Sequence, residues 1–142
     1  MTQANPQTNY LRTRVMTAGP AELRLMLLDG AIKFAMQARD GLNAKDFEAV
    51  FNGVTNCRNI VVELMTNIRP DVEPTLADRV KALYAYLFME LTNASMDKSV
   101  EKFDAVIKLL EYERETWALL MQKLGTEKAA PAAQPGSLAA SA

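Results

Sequence analysis

Between Pro20 and Leu124 the apolar residues recur at every third or fourth position, in stretches parted by breaker residues. That spacing restricts the chain to helices that each bury one face. Gly19-Pro20 reads as a helix start, because the N–H that proline lacks has no partner at the first helical position. The first helix is predicted over 20–41, with Gly41 and Asn43 punctuating its end. The second is predicted over 44–69 and stopped by Pro70, with Phe47, Val50, Phe51, Val54, Cys57, Val61, Leu64, Met65 and Ile68 on its core stripe. The third starts near Glu73-Pro74 and runs to Asn93, burying Leu76, Val80, Leu83, Tyr84, Leu87 and Leu91. An Ala-Ser-Met-Asp connection follows, with Ser95 or Asp97 as candidate N-cap. The fourth is predicted over 98–124, with Val100, Phe103, Val106, Ile107, Leu110, Trp117, Met121 and Leu124 inward and Gly125 as a stop.

No strand-like alternation competes with this pattern. Four amphipathic helices on short connections give an all-α, antiparallel four-helix bundle. The domain reading is an arm at 1–18, a bundle at 19–125, and an Ala/Pro/Ser-rich tail at 126–142 that is predicted disordered.

The residue types exclude much chemistry. With no histidine, the commonest general base and metal ligand are missing, and so is every Glu-x-x-His di-iron motif. One cysteine builds neither a zinc site nor an internal disulfide, and it suits a reducing compartment. Cys57 falls on a core stripe and reads as a small buried hydrophobe. No glycine-rich loop has phosphate-cradling spacing. A net charge of −1 offers no basic patch, so no nucleic-acid partner is expected. Met1 to Asn9 is polar and uncharged, which is no signal peptide, and the greasiest segment is cut by Arg24, Asp29 and Lys33. The expectation is a cytoplasmic protein with no membrane insertion, no cofactor and no bound metal. Glu111, Glu113 and Glu115 read as a solvated face. An all-carboxylate site is the enzyme alternative these residues leave open.

The informative signal is surplus apolar surface. On the first helix Leu23, Leu27, Ala31, Phe34 and Ala38 form one stripe, and Leu25, Leu28, Ile32 and Met36 a second, roughly 135° away. On the fourth, Ala105, Leu109, Tyr112, Thr116 and Leu119 repeat on the face opposite the core. On the third, Tyr86 and Met89 point away from the main stripe. Two readings stand: a central first helix with scattered surface apolars, or grooves for amphipathic partner segments. Gly30, interior to the first helix, fits either close helix packing or close approach of a bound segment. The arm carries Tyr10, Val15 and Met16, either as a fixed hydrophobic staple or as a removable cap over a groove.

The string NYLRTRVMTAGPAELRLMLLDGAIKFAMQA resembles the start of the flagellin export chaperone family, FliS, whose members show an arm tyrosine followed by a Ser-Pro-x-x-Leu-x-x-Met-Leu-x-Asp-Gly-Ala motif. NCRNIVVEL, LYAYLFMELTNAS and Trp117 extend the likeness over about residues 9–124. Tyr10 matches the arm tyrosine; Pro20, Leu23, Leu27, Asp29 and Gly30 match the helix motif. Gly19 replaces the usual serine, Leu28 stands where an aromatic is common, and Ala94-Ser95 replaces Ala-Asn. The resemblance implies a cytoplasmic, ATP-independent chaperone that binds the disordered C-terminal segment of flagellin, prevents premature filament assembly and hands the client to the flagellar export gate. It implies a monomer that becomes one-to-one with client, its arm covering part of the client surface. Helical phase, by contrast, nominates Tyr86, Met89, Leu109, Tyr112 and Leu119 for client contact, with Leu25 and Ile32 behind them. The competing reading is a structural or adaptor bundle whose extra faces form a homo-oligomer interface.

Overall fold

The computed structural model describes the backbone of residues 19–67 and 74–133, and the side chains of 19–67 and 77–123. The arm with Tyr10, Val15 and Met16, the segment 68–73 and the tail from 134 lie outside the described residues. The chain forms α1 (Pro20–Asn43), α2 (Phe47–Thr66), α3 (Pro74–Asp97) and α4 (Val100–Ala133). Successive helices run antiparallel. Arg24 near the start of α1 meets Leu64 near the end of α2, Arg58 of α2 meets Phe88 of α3, and Tyr84 of α3 meets Glu113 of α4. Asp29 of α1 meets Arg114 of α4 and closes the ring. The bundle and its helix order are as the apolar periodicity predicts.

The core runs down the middle of this ring: Leu28, Ala31 and Ala35 of α1, Val54, Cys57 and Val61 of α2, Tyr84, Leu87 and Leu91 of α3, and Phe103, Val106 and Leu110 of α4. Small residues bring α1 and α2 closest together. A Cβ built on Gly53 would lie 2.7 Å from the Phe34 carbonyl oxygen. Gly30 also faces α2, with Ile60 Cδ1 3.2 Å from where its Cβ would be, which supports the packing reading of that glycine.

Several boundaries differ from expectation. Gly41 does not end α1; it is buried inside the last turn, where its carbonyl accepts the Asp46 N–H at 2.7 Å and a Cβ would meet that of Ala49 at 2.9 Å. Residues 44–46 form the turn, so α2 starts at Phe47, with Asp46 Oδ1 accepting the Ala49 N–H. Ser95 and Asp97 are no N-caps. They belong to α3, because Ala94 is fully buried and holds the helix for another turn. The cap of α4 is Ser99, whose Oγ accepts the Lys102 N–H at 3.1 Å. Helix α4 passes through Gly125 to Ala133, since a glycine inside a helix costs only about 1 kcal/mol and the following Lys and Ala residues favour helix.

The two short turns share one design. Lys45 and Lys98 have φ of 58° and 50°, in the turns that follow α1 and α3. In each turn the next N–H reaches back five residues, Asp46 to Gly41 and Ser99 to Ala94, while the lysine N–H reaches back three, to Leu42 and to Ser95. This is the Schellman closure of a helix C-terminus, with lysine where glycine is usual. The residue after each lysine is the N-cap of the next helix. Both turns lie at the same end of the bundle.

Candidate functional site

The surplus on α1 is largely covered. Its first stripe turns towards α2, where Gly53 packs on the backbone of Phe34 and Ala38. Its second turns towards α4, flanked by the ion pairs Arg39–Asp104 at 3.1 Å and Arg114–Asp29 at 2.7 Å. Ile32, Met36, Leu27 and Phe34 pack against the core, and Leu25 is half-buried. A central first helix therefore accounts for most of its double stripe.

The flank between α3 and α4 differs. Tyr86 and Met89 are 52% and 59% exposed, and Tyr112 and Leu119 are 69% and 56% exposed, so these side chains have little to pack on among the described residues. The Tyr84–Glu113 hydrogen bond at 3.0 Å fixes the register and sets Tyr86 level with Leu109 and Tyr112. Leu109 is partly buried against the core and forms the floor. Met89 lies nearer the outer face of α3, and Leu119 lies two turns further along α4 from Tyr112. Glu113 leaves the expected solvated face to accept the tyrosine hydroxyl, while Glu111 and Glu115 stay exposed.

A second apolar flank, between α2 and α3, contradicts the core assignment of Phe47 and Phe51. Both are surface residues, 51% and 68% exposed, because they sit roughly 70–110° off the centre of the α2 core stripe, on the side turned to α3. They line a cavity of about 290 Å³ with Leu42, Val50, Ser95 and Lys98. Lys98 Nζ stands 5.1 Å from the Phe47 ring centre. Further along, Arg58 lies over the Phe88 ring at 4.5 Å, and Val62 is exposed. The sequence did carry the signal: two aromatics four residues apart at one edge of a stripe already wide enough without them.

One polar cluster is buried where the α1 start, the α2 end and α4 meet. Arg24, 5% exposed, donates from Nη2 to the Leu64 carbonyl at 3.0 Å. Its guanidinium stands 5.6 Å from the Tyr84 ring centre and 4.9 Å from that of Trp117, and its Nε has no hydrogen-bond partner among the described residues. Burial, with Glu113 beside it, raises the Tyr84 phenol well above its ordinary range. Cys57 is buried as expected, donates from Sγ to the Ala31 carbonyl at 3.3 Å, and is pushed up to about 12 by burial, which makes it a poor nucleophile. Among the described residues no group of three or more His, Cys, Asp or Glu side chains is placed to hold a metal ion. No described helix is long and apolar enough to cross a membrane. The described surface is thus one of exposed aromatic and aliphatic side chains along the two flanks of α3, which suits burial of an apolar segment.

The family described as flagellar protein FliS matches residues 2–124. A curated relative, the flagellar secretion chaperone FliS of Bacillus subtilis (strain 168), is 29% identical over 118 residues, covering 83% of this chain and 87% of the relative.

Proposed function

The chain belongs to the FliS family, whose curated relative is a flagellar secretion chaperone, and from that premise we propose that it binds the disordered C-terminal segment of flagellin in the cytoplasm. Binding keeps the client from polymerising before export and presents it to the flagellar export gate. The protein is no enzyme in this reading. It acts by stoichiometric burial, as a monomer that becomes one-to-one with client.

The observation that carries this reading is the set of large apolar side chains left exposed on both flanks of α3: Tyr86, Met89, Tyr112 and Leu119 on one side, Phe47 and Phe51 on the other. Each square ångström of apolar surface that a client covers is worth about 25 cal/mol, against which the client's ordering must be set. Leu109 serves as the floor of the α3/α4 flank, while Leu25 and Ile32 lie on the α1/α4 side, across α4 from it. Tyr10, Val15 and Met16 act as a displaceable cap, which spares the free protein a permanently exposed groove.

Calorimetric titration of the full chain with the C-terminal segment of flagellin from the same organism tests the proposal. We expect one-to-one binding with a negative heat-capacity change, weakened by Tyr112→Ala. Tyr10→Ala is expected to tighten binding by removing a competitor. No binding at tens of micromolar, together with a concentration-dependent dimer in sedimentation, would replace the chaperone reading with a homo-oligomer interface.

A further inference from the structure

Among the described residues, the flank between α2 and α3 is apolar and also positively charged, with no carboxylate between its two rows. Two rows at seven-residue spacing line it: Phe51, Arg58 and Met65 on α2, and Lys81, Phe88 and Ser95 on α3. The Arg58–Phe88 contact and the cavity shared by Phe51 and Ser95 set these rows opposite one another in antiparallel register, with Lys81 level with Met65. Lys98 closes one end over the Phe47 ring. Arg58, Lys81 and Lys98 make no ion pair among the described residues, and the nearest acids by helical phase, Glu48 and Asp78, lie on the outer margins at opposite ends. The α1/α4 side is the contrast, since there each cross-helix arginine has its aspartate.

We infer that this flank takes an acidic amphipathic helix of the partner, and that Arg58 reads one of its carboxylates. This rests on the client-binding proposal above and names the chemistry of the segment that fits this flank. The argument is charge complementarity on a preorganised site. Stacking on Phe88 fixes the guanidinium plane, so little side-chain freedom remains to be lost, and a planar fork matches a carboxylate in two parallel hydrogen bonds. The rows span Phe51 to Met65, about 21 Å at the helical rise, which matches a partner helix of about four turns. Such a helix sets apolar residues on Phe51 and Val62 and carries acids towards Arg58, with further acids one or two turns away towards Lys81 or Lys98.

The test is titration of the full chain with the same flagellin segment, natural and with its Asp and Glu changed to Asn and Gln, at 50 and 500 mM NaCl. Arg58→Gln, Arg58→Lys and Lys81→Gln are compared after melting curves confirm that each variant is folded. Arg58→Gln is expected to weaken the natural segment about tenfold, as loss of a charge-assisted hydrogen-bonded pair does. Arg58→Lys should recover part of that loss, and added salt should weaken wild-type binding. The amide segment should bind wild type more weakly and show no further loss with Arg58→Gln. Equal binding of natural and amide segments, or wild-type affinity and salt response in Arg58→Gln, overturns the inference while leaving the chaperone reading intact. Absence of binding by any segment overturns both. A dimer of the chain alone that Arg58→Gln or Phe51→Ala dissolves would assign the flank to a second copy and overturn the inference.

Discussion

A methyl group added at Gly53 would lie 2.7 Å from the Phe34 carbonyl oxygen and 2.8 Å from the Ala38 nitrogen, both backbone atoms that cannot yield without parting α1 from α2. At Gly30 the same methyl would meet only Ile60 Cδ1 at 3.2 Å, the rotatable end of a half-buried side chain. Gly53→Ala is therefore expected to destabilise by about 1–3 kcal/mol through overpacking. Gly30→Ala gains the helix propensity that glycine lacks, up to about 1 kcal/mol. Thermal melts of the two variants should shift in opposite directions. Cys57 gives a second residue-scale expectation. In the folded chain its thiol keeps its proton up to about 12, whereas the unfolded chain loses it at the ordinary 9.0. The unfolded state therefore binds fewer protons between those values, so this contribution to stability is complete below pH 9.0 and declines as pH rises towards 12. Tyr84, also raised by burial, adds to the decline above its ordinary 10.0. Urea midpoints measured from pH 8 to 10.5 should fall, and Cys57→Ala should flatten the first part of that fall.

At the scale of the elements, the two lysine turns invite a paired experiment. A non-glycine residue held at positive φ costs of order 1 kcal/mol, partly offset by the extra freedom glycine has in the unfolded chain. Lys45→Gly and Lys98→Gly should each stabilise by about 0.5–1 kcal/mol, seen as a rise of roughly 2–4 °C in midpoint. Only Lys98→Gly should also weaken an acidic client, since Lys98 lies in the cavity wall and Lys45 does not. The limits of sequence reading also show at this scale. Helix number, order and the stripes through Val54, Cys57 and Val61, or Val80, Tyr84 and Leu87, follow from spacing alone, because a bundle core needs one face per helix. Phe47 and Phe51 misled because counting by threes and fours accepts both edges of a stripe. Which edge is covered depends on where the neighbouring helix ends. Arg24 looked like an interruption, and its burial depends on Tyr84 and Trp117, which the chain brings to it only on folding. The long α4 and the Ser99 cap were missed for a local reason: glycine and serine punctuate helices in sequence, but burial of Ala94 and the helix-forming residues after Gly125 decide where helices stop.

Across the whole molecule the helices differ in how much of their surface is covered. Helix α1 packs its two stripes on α2 and α4, while α3 leaves apolar residues uncovered on both of its flanks. Hydrogen exchange should accordingly be slowest in the middle of α1, and client binding should slow α3 most among the helices. The exposed ion pairs of α1 and α4 contribute little, about 0–1 kcal/mol each, so salt that weakens the client complex should hardly move the melting point of the free protein. One buried contact has a use beyond stability. Trp117 is the only tryptophan in the chain, and it lies against the Arg24 guanidinium at the end of the bundle opposite the two lysine turns. Its fluorescence is thus an intrinsic optical probe of one pole of the molecule. A ligand that disturbs the Arg24 end will shift the emission, and one confined to the Phe47 cavity will leave it unchanged, so a single spectrum reports which end of the bundle a bound segment has reached.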